Sequence, residues 1–322
     1  MIQRITGPLP FWTRREHPLL KKELAVTSSP KMRWLRLLLM VFITVAITFV
    51  SFAVHTNGFQ QRAASTWIDA FHHIAYFPTL LLQVLAIIIC VVSTVQIINE
   101  AIRGGIWESI RSTENGVGLL FRTRWASLFY KLRPILLILF AVRAVMILGL
   151  MVDLTSFNGD YLDLLISDME PHMNVFVAIL LIASLLTASM IQVFVNVGFE
   201  SSLGLYIATL TRGTFYTSAA MWVWLILRVT GITVLVLAVT QYTSGSWVLD
   251  ASSAWLLMLG FLFLGDWGLF LLSLTRFASF WLIVPYGIFI APALLLAVVI
   301  QAYLSDKLLA AAARRAQMRE GS

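Results

Sequence analysis

Charged side chains inside long apolar stretches are the residues of this chain with the clearest chemical meaning. Arg143 and Arg228 each lie eight to ten residues inside such a stretch, which is about 12 to 15 Å deep at a helical rise of about 1.5 Å per residue. A charge there costs at least about 2.5 to 3.5 kcal/mol on insertion scales, so each must face protein or water. Glu200 and Asp266 are the acidic side chains available to pair with them. These charges form either structural ion pairs or a polar path for an anionic headgroup or peptide.

Residue patterns for catalysis are absent from the sequence. There is no G-x-x-x-x-G-K-[ST] loop to cradle ATP phosphates, no H-E-x-x-H and no nucleophile elbow, so any ATP hydrolysis belongs to a separate subunit. The single cysteine, Cys90, excludes an intrachain disulfide and a thiolate metal site. The histidines lie outside the apolar stretches, and adjacent His72 and His73 point in different directions on a helix. We expect no catalytic residue, metal or other cofactor.

The composition indicates an all-α polytopic membrane protein. Of 322 residues, 59% are hydrophobic and only 12% are charged, and the mean hydropathy is +0.86. The formal charge of +7 comes mainly from basic residues beside apolar stretches. Attraction to anionic lipid and a bias on membrane topology explain that placement better than nucleic acid does. Membrane lipid is therefore an expected partner, and nucleic acid is not.

Apolar stretches long enough to cross a bilayer core of about 30 Å predict six transmembrane helices. They are residues 34–54, 76–98, 135–152, 175–198, 218–240 and 280–304. The stretch 254–279 is also apolar, but a seventh crossing would place the basic C-terminal tail outside. We predict that it is a re-entrant hairpin turning at residues 265–268, since irregular backbone at membrane depth is tolerated when protein covers it.

The charge distribution predicts that both termini are cytoplasmic. An N-terminal arm, residues 1–33, carries seven basic residues, and the tail, residues 305–322, is also basic. The loop 153–174 has five acidic residues and no Lys or Arg, which places it outside. The transmembrane domain is then residues 34–304. Within the arm, the pattern at residues 18–24 predicts a short interfacial helix, although a disordered basic tail fits equally well.

Residues 99–134, here called the platform, form the only long polar interval that also has helical periodicity. Isoleucines at positions 98, 102, 106 and 110 predict one amphipathic helix, and residues 121–132 predict a second, with a glycine hinge at 115–118 between them. Six basic and three acidic residues indicate that both helices lie on the membrane surface and can dock a partner. The residues expected to couple to that partner are Glu100, Arg103, Trp107, Glu108 and Arg111.

Three segments carry a resemblance to a known family. Residues 17–24, HPLLKKEL, are similar to an Asn-Pro-x-Leu-x-Lys-Glu-Leu opening; residues 99–113 resemble a coupling stretch; and residues 203–214 resemble a fourth span that ends in a Ser/Thr-x-x-Arg turn. With the predicted topology, these segments resemble the type-2 permeases of ATP-binding-cassette exporters. Ile106 stands where that family usually has Thr, and His17 where it often has Asn.

The resemblance implies a permease subunit of a bacterial inner membrane that moves its substrate by alternating access. It would not be an enzyme itself: a cytoplasmic ATP-binding subunit would drive it through the platform, and a second permease subunit would complete a homo- or heterodimer. The residues leave a second hypothesis open. The chain would then be a non-catalytic structural subunit of a larger respiratory or photosynthetic membrane complex.

Overall fold

Helices make up all the regular structure in the part of the chain that the structure, a computed structural model, describes. That part comprises residues 10–14, 17–25, 67–113, 116–155, 167, 172–210, 213–243, 245–248, 250–264, 286 and 289–318. A short 3-10 turn, Phe11–Thr13, comes first. The helices are α1 (Pro18–Ala25), α2 (Trp67–Val95), α3 (Ile97–Arg103), α4 (Trp107–Ser112), α5 (Gly116–Lys131), α6 (Arg133–Leu154), α7 (Val175–Leu210), α8 (Thr214–Thr243), α9 (Ala251–Leu264) and α10 (Ile290–Met318).

Five helical stretches within these ranges are long and apolar enough to cross a membrane. They are Pro78–Arg103, Arg133–Val152, Val175–Leu210, Thr214–Tyr242 and Ile290–Met318. They confirm the predicted all-helical architecture of a multi-pass membrane protein. The predicted first span, 34–54, and the turn of the predicted hairpin, 265–268, lie outside the described residues.

Helix α7 is the centre of the bundle. It packs most extensively against α10, then against α2, and it also contacts α6 and α8. Its 36 residues extend about 54 Å at about 1.5 Å per residue, which exceeds a bilayer core of about 30 Å. The uniformly apolar part ends near Gly198, and the helix continues through less hydrophobic residues to Leu210, with Leu205 and Ala208 buried against neighbouring helices. Glu200 therefore lies inside α7 and not beyond its end.

Two apolar clusters mark the opposite ends of the bundle. The platform cluster joins α3, α4 and α5 to the C-terminal turns of α7 and α10; it includes Ile98, Trp107, Phe121, Ala208 and Ala312. The far-end cluster joins the N-terminal parts of α7 and α10 to α9 and to the ends of α6 and α8; it includes Leu150, Leu181, Leu235, Ala254 and Ile290. The C-terminal end of α10 and the platform therefore share one end of the bundle.

The first half of the platform is two helices, not the single one that the isoleucine spacing predicts. Helix α3 ends in a Schellman motif: Ile106 N–H bonds to Ala101 C=O at 3.2 Å and Gly105 N–H to Ile102 C=O at 3.0 Å. Gly105 has a φ of 66°, a left-handed conformation that costs glycine little. The break separates Ile98 and Ile102, which lie in α3, from Ile106. Within α3 Ile98 is buried whereas Ile102 is 47% exposed, and Ile106 is 40% exposed.

The second half of the platform begins where the sequence predicts a hinge. Gly116 is the first residue of α5, so the glycines form the helix's first turn. Helix α5 packs against the arm and also against α7 and α10. Tyr130 Oη donates a hydrogen bond of 2.9 Å to Thr13 C=O, and Leu20 of α1 is fully buried. The arm and the platform thus form one packed layer at this end of the bundle.

Candidate functional site

A buried ion pair joins the middle of α8 to the central helix. Arg228 Nε lies 3.2 Å from Glu200 Oε1, and the two side chains are 6% and 0% exposed. The contact is an ion pair rather than a directed hydrogen bond. The other carboxylate oxygen, Oε2, accepts a hydrogen bond of 3.0 Å from Trp224 Nε1. Trp224 is one helical turn before Arg228, so both side chains face the same carboxylate.

The environment of this pair determines its strength. Taking two charges out of water costs several kcal/mol per ion, which is recovered only when the partner and further hydrogen bonds are well placed. Trp224 supplies one such bond to Glu200. Loss of either charged partner would leave the other buried without its counter-charge. The pair therefore fixes the relative positions of α7 and α8.

Polar side chains from several helices meet beside the pair. Gln83 of α2, Asn196 of α7 and Arg228 of α8 line a cavity of about 20 Å³ whose other walls are mostly aliphatic. Asn196 lies one turn before Glu200 on α7. From the opposite side, Gln301 Nε2 of α10 donates to Asn196 Oδ1 at 2.7 Å. The ion pair and the amides thus lie close together as a polar layer within an apolar bundle.

The carbonyl of Gly198 connects the platform to this layer. It accepts hydrogen bonds from Trp125 Nε1 of α5 at 2.9 Å, from Ser202 Oγ at 2.9 Å and from Ser305 Oγ of α10 at 3.0 Å. A Cβ at Gly198 would lie 3.2 Å from the Trp125 ring, so glycine permits the close approach. The arm reaches the same ring, since the Trp12 and Trp125 centroids are 6.5 Å apart.

The four charged residues predicted from the sequence do not form one site. Glu200 and Arg228 meet, whereas Arg143 of α6 is fully buried against Ser189, to whose carbonyl and hydroxyl its Nη1 is directed. Ser189 and Glu200 are about 16 Å apart along α7 at about 1.5 Å per residue. Asp266 lies outside the described residues. The structure thus brings together one acid and one base of the four predicted charges.

The predicted coupling residues also differ in their surroundings. Trp107 is buried in the platform cluster, while Arg103 and Glu108 are exposed and Arg111 is half-buried. Glu100 is exposed as well, with 56% of its side-chain surface accessible, and its Oε2 lies 3.1 Å from Arg124 Nη2. Helices α3 and α4 therefore present an exposed charged face, and one residue of that face, Glu100, contacts Arg124 of α5.

Several residues of the site are not among the sequence-predicted ones. Arg124 falls on the apolar face of α5, three residues after Phe121 and four before Leu128, which is a signal that its guanidinium is buried. The amides Gln83, Asn196 and Gln301 are polar residues in apolar spans, which by that fact alone are expected to face protein. The roles of Gly198 and Ser305 depend on helix packing, and their own residue types carry no such signal.

No other kind of site is evident in the described ranges, and no relative was found. Among the described residues, no group of three or more His, Cys, Asp or Glu side chains is placed to hold a metal ion. No protein-family model, curated protein or solved structure matches the chain. Functional inference therefore rests on the residues themselves and on their arrangement.

Proposed function

We propose that this chain is the membrane permease subunit of an ATP-binding-cassette exporter. One observation carries the proposal: α4 has Trp107 buried in the platform cluster, which also contains residues from the C-terminal turns of α7 and α10, while the next residue, Glu108, is exposed. One helical turn therefore has one side in the cluster that it shares with the long helices and another side in solvent. That is the arrangement required of an element that passes force from a docked ATPase to a membrane bundle.

Rigid attachment of the platform supports the same proposal. Arg124 of α5 donates to Ser93 C=O through Nε at 3.1 Å and Nη2 at 2.8 Å, which ties α5 to the end of α2. Trp125, the next residue, bonds to Gly198 of α7. A displacement of the platform would thus act directly on α2 and α7, and α7 carries Glu200 two residues beyond that bond.

Six crossings with both termini cytoplasmic are part of this proposal. The C-terminal turns of α10 pack on the platform, which favours one side of the membrane for both. Trp247, before α9, and Ile290, at the start of α10, both contact the far-end cluster. The segment between them thus begins and ends at the same end of the bundle, as a re-entrant hairpin would.

The proposed partners are a cytoplasmic ATP-binding subunit, a second permease subunit and the lipid of a bacterial inner membrane. Arg103 and Glu108 are the exposed charges that we assign to contact with the ATP-binding subunit. Opposite charges on its surface would set the register of docking and the rate of encounter. A gene for such a subunit beside the gene for this chain is the simplest supporting observation.

Site-directed cross-linking tests the docking face. The only native thiol, Cys90, is fully buried, so an introduced cysteine would be the reactive one. Glu108→Cys should cross-link to a co-expressed ATP-binding subunit. Val248→Cys, which is 89% exposed beyond the end of α8, is the matched control and should not. Failure of the ATP-binding subunit to co-purify, or equal cross-linking from both positions, would contradict the proposal.

The structural-subunit hypothesis is distinguished by the same preparation. A permease complex should hydrolyse ATP, and its hydrolysis should respond to substitutions on the exposed face of α3 and α4. A structural subunit would instead be recovered in fixed stoichiometry with respiratory or photosynthetic proteins. The two outcomes differ in the partners that mass spectrometry identifies.

A further inference from the structure

The contact between the arm and the platform brings two exposed arginines to the same place. Tyr130 Oη donates a hydrogen bond of 2.9 Å to the carbonyl of Thr13. Arg14 is the residue after Thr13, and Arg133, the first residue of α6, comes three residues after Tyr130. Both arginine side chains are exposed. Because both are long and begin beside the same hydrogen bond, the two guanidiniums can reach one ligand.

The charge of the surrounding chain favours a negatively charged ligand. The arm has seven basic residues against two acidic ones, and residues 116–152 have five basic residues and no Asp or Glu. Neither Arg14 nor Arg133 forms an ion pair with an acid of the described ranges, where Glu100 and Glu200 are engaged by Arg124 and Arg228. The two exposed guanidiniums thus retain their donors for a ligand.

The side of α6 that begins at Arg133 is apolar and exposed. Apolar side chains follow Arg133 on this side at spacings of four or three residues, and all of them are exposed: Leu137, Ala141, Val145 and Leu148. The stretch Arg133–Val152 is one of those long and apolar enough to cross a membrane. In a bilayer, lipid tails would cover this side, and Arg133 would lie at its headgroup end.

We propose that Arg14 and Arg133 together bind the phosphate of one anionic phospholipid, whose acyl chains lie along the exposed side of α6. Guanidinium donors suit phosphate oxygens, and a charge-assisted hydrogen bond is stronger than a neutral one. Tyr130, which is 38% exposed between the two arginines, belongs to the aromatic types enriched at headgroup level. The lipid would hold the arm on the platform from the membrane side. This role requires neither transport nor an ATP-binding partner.

Native mass spectrometry of the full-length chain in detergent tests the site with two lipids that share their acyl chains. Dioleoylphosphatidylglycerol has a net negative headgroup and dioleoylphosphatidylcholine does not, so the wild type should bind the first about tenfold more tightly or better. Arg14→Gln and Arg133→Gln should each weaken binding of the anionic lipid about fivefold, the factor of one basic residue near an anionic surface. Arg133→Lys keeps the charge and should retain most of the affinity.

Arg314→Gln is the matched control, because it removes an exposed charge from the C-terminal turns of α10. It should change the affinity less than twofold. Equal affinity of the wild type for both lipids, or equal losses from Arg314→Gln and Arg133→Gln, would overturn the proposal. An undiminished preference for the anionic lipid in the double variant Arg14→Gln with Arg133→Gln would also overturn it, and would leave the two arginines to an acidic protein surface.

Amide exchange provides a second measurement that needs no variant. His17 N–H donates to Arg14 C=O at 2.9 Å, so its exchange reports on the segment that carries Arg14. Dioleoylphosphatidylglycerol should slow exchange at His17 severalfold relative to dioleoylphosphatidylcholine. The same exchange rate in both lipids would show that no anionic headgroup is bound beside the arm.

Discussion

The guanidinium of Arg124 meets the carboxylate of Glu100 at 3.1 Å and joins α5 to α3. Helical spacing alone offers Arg103 as the partner of Glu100, since the two are three residues apart. Arg124 also holds the carbonyl of Ser93 with two donors. Glu100 thus supports the assembly of the platform, although its side chain is exposed on the platform's face.

Charge reversal at Glu100 should therefore weaken the platform itself. Glu100→Lys places an ammonium against a buried guanidinium, although it leaves insertion intact because it adds positive charge on the predicted cytoplasmic side. Glu100→Gln keeps a hydrogen-bond acceptor and should cost only about 0.2 to 1 kcal/mol, the range of partly exposed ion pairs. The Lys variant should cost more. Thermal unfolding in detergent measures both.

Glu108→Lys is the matched reversal on the exposed face of α4. It should leave the unfolding temperature unchanged while it reduces co-purification of an ATP-binding subunit and the ATP hydrolysis that depends on it. If Glu100→Lys matches the wild type in both stability and hydrolysis, the contact with Arg124 does not support the platform. If Glu108→Lys leaves co-purification and ATP hydrolysis at wild-type levels, the docking face lies elsewhere.

The sequence predicted an element of the fold better when the apolar stretch that forms it was longer and more uniform. Long uniform stretches such as 135–152 and 218–240 predicted spans well, because a bilayer imposes both length and apolarity. The isoleucine spacing of the platform wrongly predicted a single helix. Gly105, in a left-handed conformation, ends α3 despite the four regularly spaced isoleucines. Helix α7 continues past Gly198, where its hydropathy falls, and ends at Leu210, close to the turn at residues 211–213; its packing against α10 supports the less apolar part.

The site was predictable only in part for a related reason. Depth in a span predicted that Arg228 needs a partner, and Glu200 was among the candidates. Which acid pairs with which base depends on helix packing, and the sequence does not contain it. Gly198 and Ser305 could not be anticipated, since their contribution is a backbone carbonyl and a hydroxyl that matter only where two helices touch.

A double-mutant cycle should separate the structural role of the Glu200–Arg228 pair from a role in transport. Removing one charge, as in Glu200→Gln or Arg228→Met, should cost about 3 to 5 kcal/mol because it leaves the other charge buried without it. The double variant Glu200→Gln with Arg228→Met should recover most of that loss. Additive losses in unfolding free energy would show that the two side chains do not interact. Recovered stability without recovered transport would assign the pair to the transport path.

The contact between Gly198 and Trp125 should be sensitive to a single methyl group. Gly198→Ala places a Cβ at 3.2 Å from the indole and should cost about 1 to 3 kcal/mol through overpacking. Trp125→Phe removes the N–H together with part of the indole ring, and should cost at least about 0.5 to 1.5 kcal/mol for the lost hydrogen bond. Gly118→Ala is the control: a Cβ there meets nothing within 4 Å, so it should stabilise α5 by about 0.5 to 1 kcal/mol. Equal effects at positions 198 and 118 would rule out a tight contact.

The start of α9 should loosen in acid. Asp250 and Ser253 form a reciprocal cap, in which Ser253 N–H donates to Asp250 Oδ1 at 3.2 Å and Asp250 N–H donates to Ser253 Oγ at 3.1 Å. The Ser253 hydroxyl, and then its amide, lower the pKa of Asp250. A depressed folded-state pKa means that the cap contributes fully above the unfolded-state pKa and is lost as pH falls through the folded-state value.

Amide exchange at Ser253 measures this loss against a matched variant. Asp250→Asn keeps an acceptor oxygen that does not titrate, so its protection should not change over the same acidic range once intrinsic exchange rates are removed. The wild type should lose protection there. The same pH profile in both proteins would show that the carboxylate does not act as the cap.

Sidedness of the two ends of the bundle is the prediction on which most of the proposed topology depends. The C-terminal turns of α10 pack on the platform through Ala312 and Ala316, while Trp247 packs at the far end. Met318 and Val248 are highly exposed positions in these two regions, so a cysteine at either is accessible to a reagent.

A membrane-impermeant maleimide added to intact cells should label Val248→Cys. It should label Met318→Cys only after the membrane is opened, because six crossings place the tail inside. The wild type, whose Cys90 is fully buried, should remain unlabelled in both cases. Labelling of Met318→Cys in intact cells would contradict the re-entrant hairpin. It would also place the platform outside, where a cytoplasmic ATP-binding subunit could not reach α4.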